Sequence, residues 1–400
     1  MNMAYRSSHS TQDELAAHLR QHLVDSLLQI GAVHSPAIEQ AFLSIPREAF
    51  VPCFYEQETT SRTMAWKLVS AHEMPRENYL AAVYRNASLV TKIDERSWPV
   101  SSSSLPSIMA TMLEALDVQP GQRVLEIGTG SGYNAALLAT LTGTPEQVVT
   151  IERDATLAAQ ARHTLEEVIG PGVTVVVGDG AAGWPAGAPY DRIIATASAA
   201  TLPMAWMKQL DIGGRLVMDL QGTLASGFLV MEKTAESVSG HFLAEPLHFM
   251  PLETEAISVP QANIASLLQQ PCQTTFVLEN DPVFPDALFD PTFRWFLQWR
   301  IPDCQVSKRK HMQRGTSSET HTILVIEPKR KALVRLQKQQ EEATWRGEVY
   351  GMALFWQDLQ QAYEAFHELG KPHQQRYQLV VEQEGPFLVI GSLKLPLIRT

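Results

Sequence analysis

Val124-Leu125-Glu126-Ile127-Gly128-Thr129-Gly130-Ser131-Gly132-Tyr133 is the stretch whose reading decides the fold. A short apolar run, read as a strand over 123–127, leads directly into three glycines at alternate positions and then into a helix starting near Tyr133. Glycine lets the backbone turn sharply there and lets a ligand approach main-chain N–H groups. Working outward, strands are expected at 147–151, 173–177, 192–195 and 215–220, with helices at 154–168 and 202–210 between them. Strands alternating with crossover helices imply an α/β fold, a Rossmann-like doubly wound parallel sheet.

The loop differs from the dinucleotide fingerprint, whose third glycine stands three residues after the second. Here the spacing is GxGxG, with Glu126 two residues ahead of Gly128. A carboxylate beside the loop would repel a phosphate and attract a sulfonium and an α-amino group. The form therefore favours S-adenosyl-L-methionine over a pyrophosphate cofactor and disfavours a nicotinamide-dependent oxidoreductase. Glu152 closes the second strand, where doubly wound folds present a carboxylate to ribose hydroxyls. Asp179-Gly180 follows the third strand, where an adenine amino group would need an acceptor. The expected cofactor set is Glu126, Gly128, Thr129, Gly130, Ser131, Gly132, Glu152, Asp179 and Gly180, with the acids rimming one crevice. Read separately, the glycines are turn chemistry, Glu152 a surface charge and Asp179 a helix cap.

The 400 residues are 45% hydrophobic and 19% charged, enough for two or three domains. The three cysteines, Cys53, Cys272 and Cys304, form no CxxC pair, so neither a disulfide framework nor a Cys-rich zinc site is expected. Twelve histidines include no HExxH; His241 and His248 are seven apart, and no metal is expected. A net charge of −11 does not attract a polyphosphate backbone. No nucleic-acid partner is expected, and Lys308, Arg309, Lys310 and Arg314, with Lys329–Lys331, read as a solvated loop or a patch that steers an acidic peptide. No signal-peptide pattern opens the chain, and no run reaches about 18 apolar residues. No membrane partner is expected, and the expected compartment is the cytoplasm.

Toward the N-terminus, Leu15, Leu19, Leu23 and Leu27, widened by Val24, Leu28 and Ile30, read as a helix over 11–43 stopped by Pro46 and Pro52. Residues 53–80 read as irregular, and 88–93 as a short strand. Ser101–Ser104 has a cap-and-turn composition, with Pro106 opening a helix to Leu116. Beyond the sheet, 228–232 and 242–247 read as extended and 251–275 as a linker. The stretch 293–299, with Trp295 and Trp299, reads as core. A strand at 322–326, a helix at 353–369 and strands at 377–382 and 387–390 complete a smaller C-terminal α+β domain. The expected boundaries are 1–100, a helical and substrate-side segment; 101–250, the cofactor domain; and 251–400, an accessory domain.

Arg123–Tyr133 resembles the first motif of the protein-L-isoaspartate O-methyltransferases. So do Gly178-Asp179-Gly180 with Gly183-Trp184-Pro185, Ala188–Ile194, and Leu210 with Gly213–Val217; Ile45-Pro46-Arg47 with Phe50-Val51-Pro52 resembles the family's N-terminal signature. The likeness spans roughly 11–235. It implies binding of S-adenosyl-L-methionine and methylation of a side-chain or isomerised backbone carboxylate. The family's active-site serine lies in a Thr-Ile-Ser-x-Pro segment. Aligned on Pro106, that serine is Ser104, with Ser102 and Ser103 on the substrate side. Val100 and Ser101 stand where the family carries Gly-Gln, which leaves substrate identity open. The serine run and the long C-terminal extension resemble a branch that acts on ribosomally made peptides.

The implied activity is a carboxyl O-methyltransferase that forms an isoaspartyl or aspartyl methyl ester, which can close to a succinimide. One rival is an aspartate methyltransferase forming an aspartimide in a dedicated peptide. The other, from a different class, is a non-catalytic cofactor-fold binding module. The expected partner is a protein or peptide with an acidic residue, and the sequence does not fix the oligomeric state.

Overall fold

The computed structural model describes residues 2–59, 64–244, 247–252, 263–278, 283–312, 319–339 and 344–397. The chain divides into two units. The first is Met1–Ser198 with Pro203–Met218 and Val230–Glu236; the second is Ala199–Leu202 with Asp219–Leu229 and Ser237–Thr400.

The helix expected over 11–43 is two helices, α1 (Asn2–Gln29) and α2 (Pro36–Ser44). Gly31, at φ +69°, ends the first in the left-handed region, and the Ala32 N–H donates back to the Leu27 carbonyl at 2.9 Å. Pro36 opens the second. Leu23, Val24 and Leu27 are buried, whereas Leu28 and Ile30 face solvent.

A one-turn helix α3 (Arg47–Phe50) precedes residues read as irregular from sequence. They form a hairpin, β1 (Cys53–Thr59) and β2 (Met64–Ser70), and a helix, α4 (Arg76–Val83). Among the hairpin's described side chains the one buried cross-strand pair is Phe54 opposite Val69, so the hydrophobic alternation that marks a strand is nearly absent. The expected strand at 88–93 is β3 (Leu89–Ile93), paired antiparallel to β4 (Pro99–Ser103). The serine run is thus an edge strand of a sheet ordered β2-β1-β3-β4, not a turn. Helix α5 (Pro106–Leu116) follows; its N-cap residue is Leu105, which makes no side-chain cap. Asn86 caps it from a distance, accepting from the Ser107 N–H at 3.0 Å.

The α/β alternation then runs as expected: β5 (Val124–Ile127), α6 (Tyr133–Thr142), β6 (Val148–Glu152), α7 (Ala155–Ile169), β7 (Thr174–Val177), β8 (Tyr190–Ala199) and α8 (Met204–Gln209). The strands order as β8-β5-β6-β7, all parallel. Every residue of α6 except Thr140 is buried, as a helix apolar on all sides requires. Chain order reverses between β5 and β8, and the carboxyl ends of strands at such a reversal open a ligand crevice. Strands β9 (Leu210–Gln221) and β10 (Ser226–Lys233) contribute residues to both units.

In the second unit, β11 (Val238–Phe242) ends where an extended run was expected to begin. Of the expected linker, residues 253–262 lie outside the described part; α9 (Ile264–Leu268) and β12 (Cys272–Leu278) occupy its far side. Helices α10 (Val283–Ala287) and α11 (Pro291–Arg300) follow. Four strands, β13 (Gln305–Met312), β14 (Glu319–Glu327), β15 (Ala332–Gln339) and β16 (Trp345–Tyr350), join β12 in an antiparallel sheet ordered β12-β16-β15-β14-β13. Lys308, Arg309 and Lys310 are exposed on its edge strand β13, while Arg314 lies outside the described residues. Helix α12 (Phe355–Glu368) and strands β17 (Gln378–Glu382), β18 (Gly385–Ile390) and β19 (Leu393–Pro396) complete the unit, with β11-β17-β18-β19 antiparallel. The aromatic stripe of α11 is core: Trp295 packs edge-on against Phe242 and Trp299 at 4.9 and 5.3 Å.

Asp219 is fully buried in this unit. The Phe249 N–H donates to its Oδ2 at 3.2 Å, while Oδ1 has no partner. Burial pushes its carboxyl up to about 7, against the opposing pull of the Phe249 N–H and the Ser226 side chain. A carboxyl raised in the folded state binds its proton more tightly there than in the unfolded chain. Its stabilising contribution is complete below about pH 4 and is lost as pH rises through 7. Asp219→Asn should remove that slope, leaving the variant more stable at pH 8 by on the order of a few kcal/mol; urea unfolding at pH 5 and pH 8 measures the difference.

Candidate active site

The parallel register fixes the crevice. Ile127 lies opposite Ile151 on one side and Ala195 on the other, so the loop begins level with Glu152 and Thr196. The Gly128 and Thr129 N–H groups both donate to the Ile151 carbonyl, at 2.9 and 3.1 Å. Gly128, Gly130 and Gly132 all have positive φ. A β-carbon on Gly128 would lie 3.0 Å from Thr196 Oγ1, and one on Gly132 3.2 Å from the Ala161 methyl. The Thr196 hydroxyl donates to the Gly128 carbonyl at 2.7 Å.

The three acids occupy three different settings. Glu126 lies beneath the loop rather than on its rim, with no solvent exposure. Asn134 Nδ2 donates to one oxygen at 2.7 Å and the Thr150 hydroxyl to the other at 2.6 Å. The Thr129 hydroxyl joins the Thr150 hydroxyl at 2.7 Å. Burial pushes the Glu126 carboxyl up to about 7, against the pull of the two hydrogen bonds. Glu152 is half-buried at the rim; it accepts from the Gly130 N–H at 2.9 Å and the Asp154 N–H at 3.0 Å. Asp179 is exposed and caps a short turn, accepting from the Ala181 N–H at 3.0 Å. That turn is held from below, where Trp206 Nε1 donates to the Gly180 carbonyl at 2.8 Å. Ser131 is half-buried in the loop.

The serine strand lies against this loop. A β-carbon on Gly130 would lie 3.5 Å from the Ser102 carbonyl and 3.7 Å from Ser101 Oγ. Ser101 and Ser103 are buried, and Ser102 and Ser104 are half-buried. The Ser101 hydroxyl meets Thr91 Oγ1 at 3.0 Å. Arg47 anchors the far end. It has no solvent exposure and donates to the carbonyls of Val83, Arg85, Ala87, Ser103 and Ser104 at 2.9 to 3.3 Å, and to Ser103 Oγ at 3.3 Å. Burial lowers its guanidinium to about 10, which leaves it charged at neutral pH. Lys92, across from Ser101, forms an ion pair with Asp154. That contact is the first cause holding the Asp154 carboxyl below its ordinary range; it ties the serine hairpin to the end of β6. The structure therefore brings Ser101 and Ser102, the glycine loop and Glu152 together at the carboxyl ends of the parallel strands, where Asp179 also lies after β7, with Glu126 beneath the loop.

The model of the family described as Protein-L-isoaspartate(D-aspartate) O-methyltransferase matches residues 62–256. A protein-L-isoaspartate O-methyltransferase of Ignicoccus hospitalis is 33% identical over 241 residues, covering 59% of this chain and 98% of that protein. The chain belongs to the protein-L-isoaspartate O-methyltransferase family. A second relative, named protein-L-isoaspartate O-methyltransferase 1, from Rhodopseudomonas palustris, is 37% identical over 230 residues, covering 56% of this chain and 89% of that one. A solved structure named protein-L-isoaspartate O-methyltransferase matches with a TM-score of 0.53 and 24% identity, covering 94% of this chain and all of that one. That likeness places the strand-rich second unit within a known fold as well. Among the described residues there is no cluster of three or more His, Cys, Asp or Glu that could hold a metal ion, and no helix is long and apolar enough to cross a membrane.

Sequence reading missed Arg47, Lys92, Asn134, Thr150, Asp154 and Thr196 as parts of the site. Arg47 left one signal: its place in Ile45-Pro46-Arg47, the stretch that resembles the family's N-terminal signature. The others are ordinary in sequence and gain meaning only from the residue each one touches. Arg47→Met should leave five carbonyls without this donor, those of Val83 and Ser103 in buried contacts, lowering stability by about 3 kcal/mol or more. Arg47→Lys should recover only part of this, because an ammonium cannot reproduce the guanidinium fork; chemical denaturation of the three proteins gives both values.

Proposed function

We propose that this chain is an S-adenosyl-L-methionine-dependent protein carboxyl O-methyltransferase that esterifies an L-isoaspartyl carboxylate. The observation that carries the reading is the packing of the serine strand on the glycine loop, with the Ser102 carbonyl and the Ser101 hydroxyl against Gly130 and Ser104 two residues beyond. The residues suit the cofactor. Three glycines keep β-carbons out of the loop, Glu152 offers acceptors to a ribose diol, and Asp179 offers one to an adenine amino group. The buried Glu126 adds negative charge under a cation. When bound, S-adenosyl-L-methionine supplies an electrophilic methyl group on a sulfonium.

The acceptor carboxylate has an ordinary pKa of about 4 and is ionised at neutral pH, so no strong general base is needed. The chain's task is alignment and exclusion of water. Ser104 holds one carboxylate oxygen by hydrogen bonding and leaves the other free to attack; a cation in its place would quench the nucleophile. The carbonyls of Ser103 and Ser104 are fixed by Arg47, which restricts where the hydroxyl can point. The reading includes a protein or peptide partner and a cytoplasmic setting, the latter supported by three free cysteines, of which Cys272 is exposed. It assigns 1–100 to the substrate side, 101–250 to the cofactor and 251–400 to holding or selecting the protein substrate.

A second reading, methylation of an ordinary aspartate in a dedicated peptide, is favoured by one feature: Val100 and the four serines replace the segment the family uses at its substrate side. Paired peptides that differ only in isoaspartate or aspartate distinguish the two. The first reading expects ester formation on the isoaspartyl peptide alone. Ser104→Ala should lower kcat by about 10- to 1000-fold while leaving cofactor affinity unchanged. Failure of calorimetry to detect binding of S-adenosylmethionine or its demethylated product would overturn both readings.

Glu126 gives the cofactor a pH signature. Its carboxyl is partly protonated at neutral pH, and a bound sulfonium favours the ionised form, so binding releases a proton. The preference for the donor over its uncharged-sulfur product should rise by up to about tenfold between pH 6 and pH 8. Glu126→Gln should flatten that dependence in paired titrations.

A further inference from the structure

Trp98 has 69% of its surface exposed, at the tip of the β3–β4 hairpin. Its backbone is pinned nevertheless. The Trp98 N–H donates to Asp94 Oδ1 at 2.8 Å, its carbonyl accepts from the Asp94 N–H at 2.8 Å, and Trp66 Nε1 donates to the adjacent Ser97 carbonyl at 2.8 Å. A large apolar ring on a fixed base is a preformed contact surface, and ordering it on binding carries little entropic penalty.

The ring also begins a row. In β4, Ser101 and Ser103 are buried, Ser102 is half-buried and Val100, where the pairing with β3 shifts register, is exposed; Trp98, one residue before the strand, is exposed as well. Side chains two apart on a strand share a face. By their exposure, Trp98, Val100 and Ser102 lie on the outward side of a segment that continues through β4 to Ser104, just beyond it. Full extension at roughly 3.3 Å per residue puts Val100 at most about 13 Å and Trp98 at most about 20 Å from Ser104. No charged side chain interrupts the row.

We propose that Trp98 and Val100 form an apolar subsite for the substrate: an extended segment whose acceptor carboxylate meets Ser104 lays a large aliphatic or aromatic side chain, four to six residues away, against them. This rests on the methyltransferase reading and deepens it by naming a class of preferred sequence. Continuity of this exposed row with the chain segment that carries Ser104 selects the substrate segment as the occupant over a second copy of the chain.

The test uses the full chain and isoaspartyl decapeptides identical except for Leu or Ser placed five residues from the acceptor, on either side. Methyl-ester formation gives KM and kcat. Fluorescence anisotropy of labelled peptides in the presence of S-adenosylhomocysteine gives binding without turnover. In the wild type, a Leu peptide should bind about tenfold more tightly than its Ser twin, as burial of one large apolar side chain implies. Trp98→Ala should abolish the difference by weakening the Leu peptide, Trp98→Phe should keep most of it, and kcat should change by less than about twofold in both. The proposal is overturned if the Leu preference survives Trp98→Ala, or if both peptides weaken equally. It is also overturned if sedimentation shows that Trp98→Ala separates a dimer without changing the preference. A Leu preference in anisotropy with no ester formed would sink the enzymatic reading and leave the subsite standing.

Discussion

A single buried guanidinium holds together the part of this protein where chemistry is expected. Arg47 has no solvent exposure, and its acceptors are main-chain carbonyls and one hydroxyl. A buried charge is tolerated only when its donors are satisfied. The acceptors come from the end of α4, from the loop before β3 and from the junction between β4 and α5, segments that the β3–β4 pairing and the Asn86 cap of α5 also draw together. The same hydrogen bonds that satisfy the charge therefore set the backbone of Ser103 and Ser104 in one conformation. The Tyr133 ring, 6.0 Å from the guanidinium carbon, stands at the first residue of the helix after the glycine loop. Serine segment and loop thus share one anchor.

Electrostatics divides the site into a floor and a rim. The floor is Glu126, desolvated and held by Asn134 and Thr150, with a carboxyl that sits near neutrality because burial outweighs its hydrogen bonds. The rim is Glu152 and Asp179, which stay in contact with water and use backbone N–H groups as partners. Two acids at the rim suit neutral hydroxyl and amino groups that need acceptors. One acid below suits a diffuse positive charge, because Coulomb attraction persists over several ångströms in a poorly screened interior. Lys92, paired with Asp154, keeps its positive charge from competing for that role.

The parallel core was legible because buried strands there are nearly continuous apolar runs and the intervening helices are amphipathic or wholly apolar. What escaped reading were elements whose stability is not local. Among its described side chains the β1–β2 hairpin buries one pair, Phe54 with Val69, and β13 carries Ser-Lys-Arg-Lys-His at a sheet edge, so neither shows the period-two pattern. The serine run was misread for the same reason: β4 is a strand because β3 pairs with it and Arg47 and Thr91 satisfy its inward hydroxyls, not because serine favours strands. A helix expected over 11–43 broke at Gly31 and Pro36, where local chain geometry overrides a continuous leucine stripe.

The sequence by itself determined the doubly wound sheet, the glycine turn with its bordering acids, and the family likeness that follows from them. These are written in short-range order, where residue type and spacing set backbone geometry. Only the tertiary structure decided that Glu126 lies under the turn rather than on its edge, that Ser101 and Ser102 pack against the turn, and which residues Arg47, Lys92 and Thr196 touch. Those facts depend on contacts between residues tens of positions apart, and a contact of that kind leaves no periodic trace in either partner's own neighbourhood.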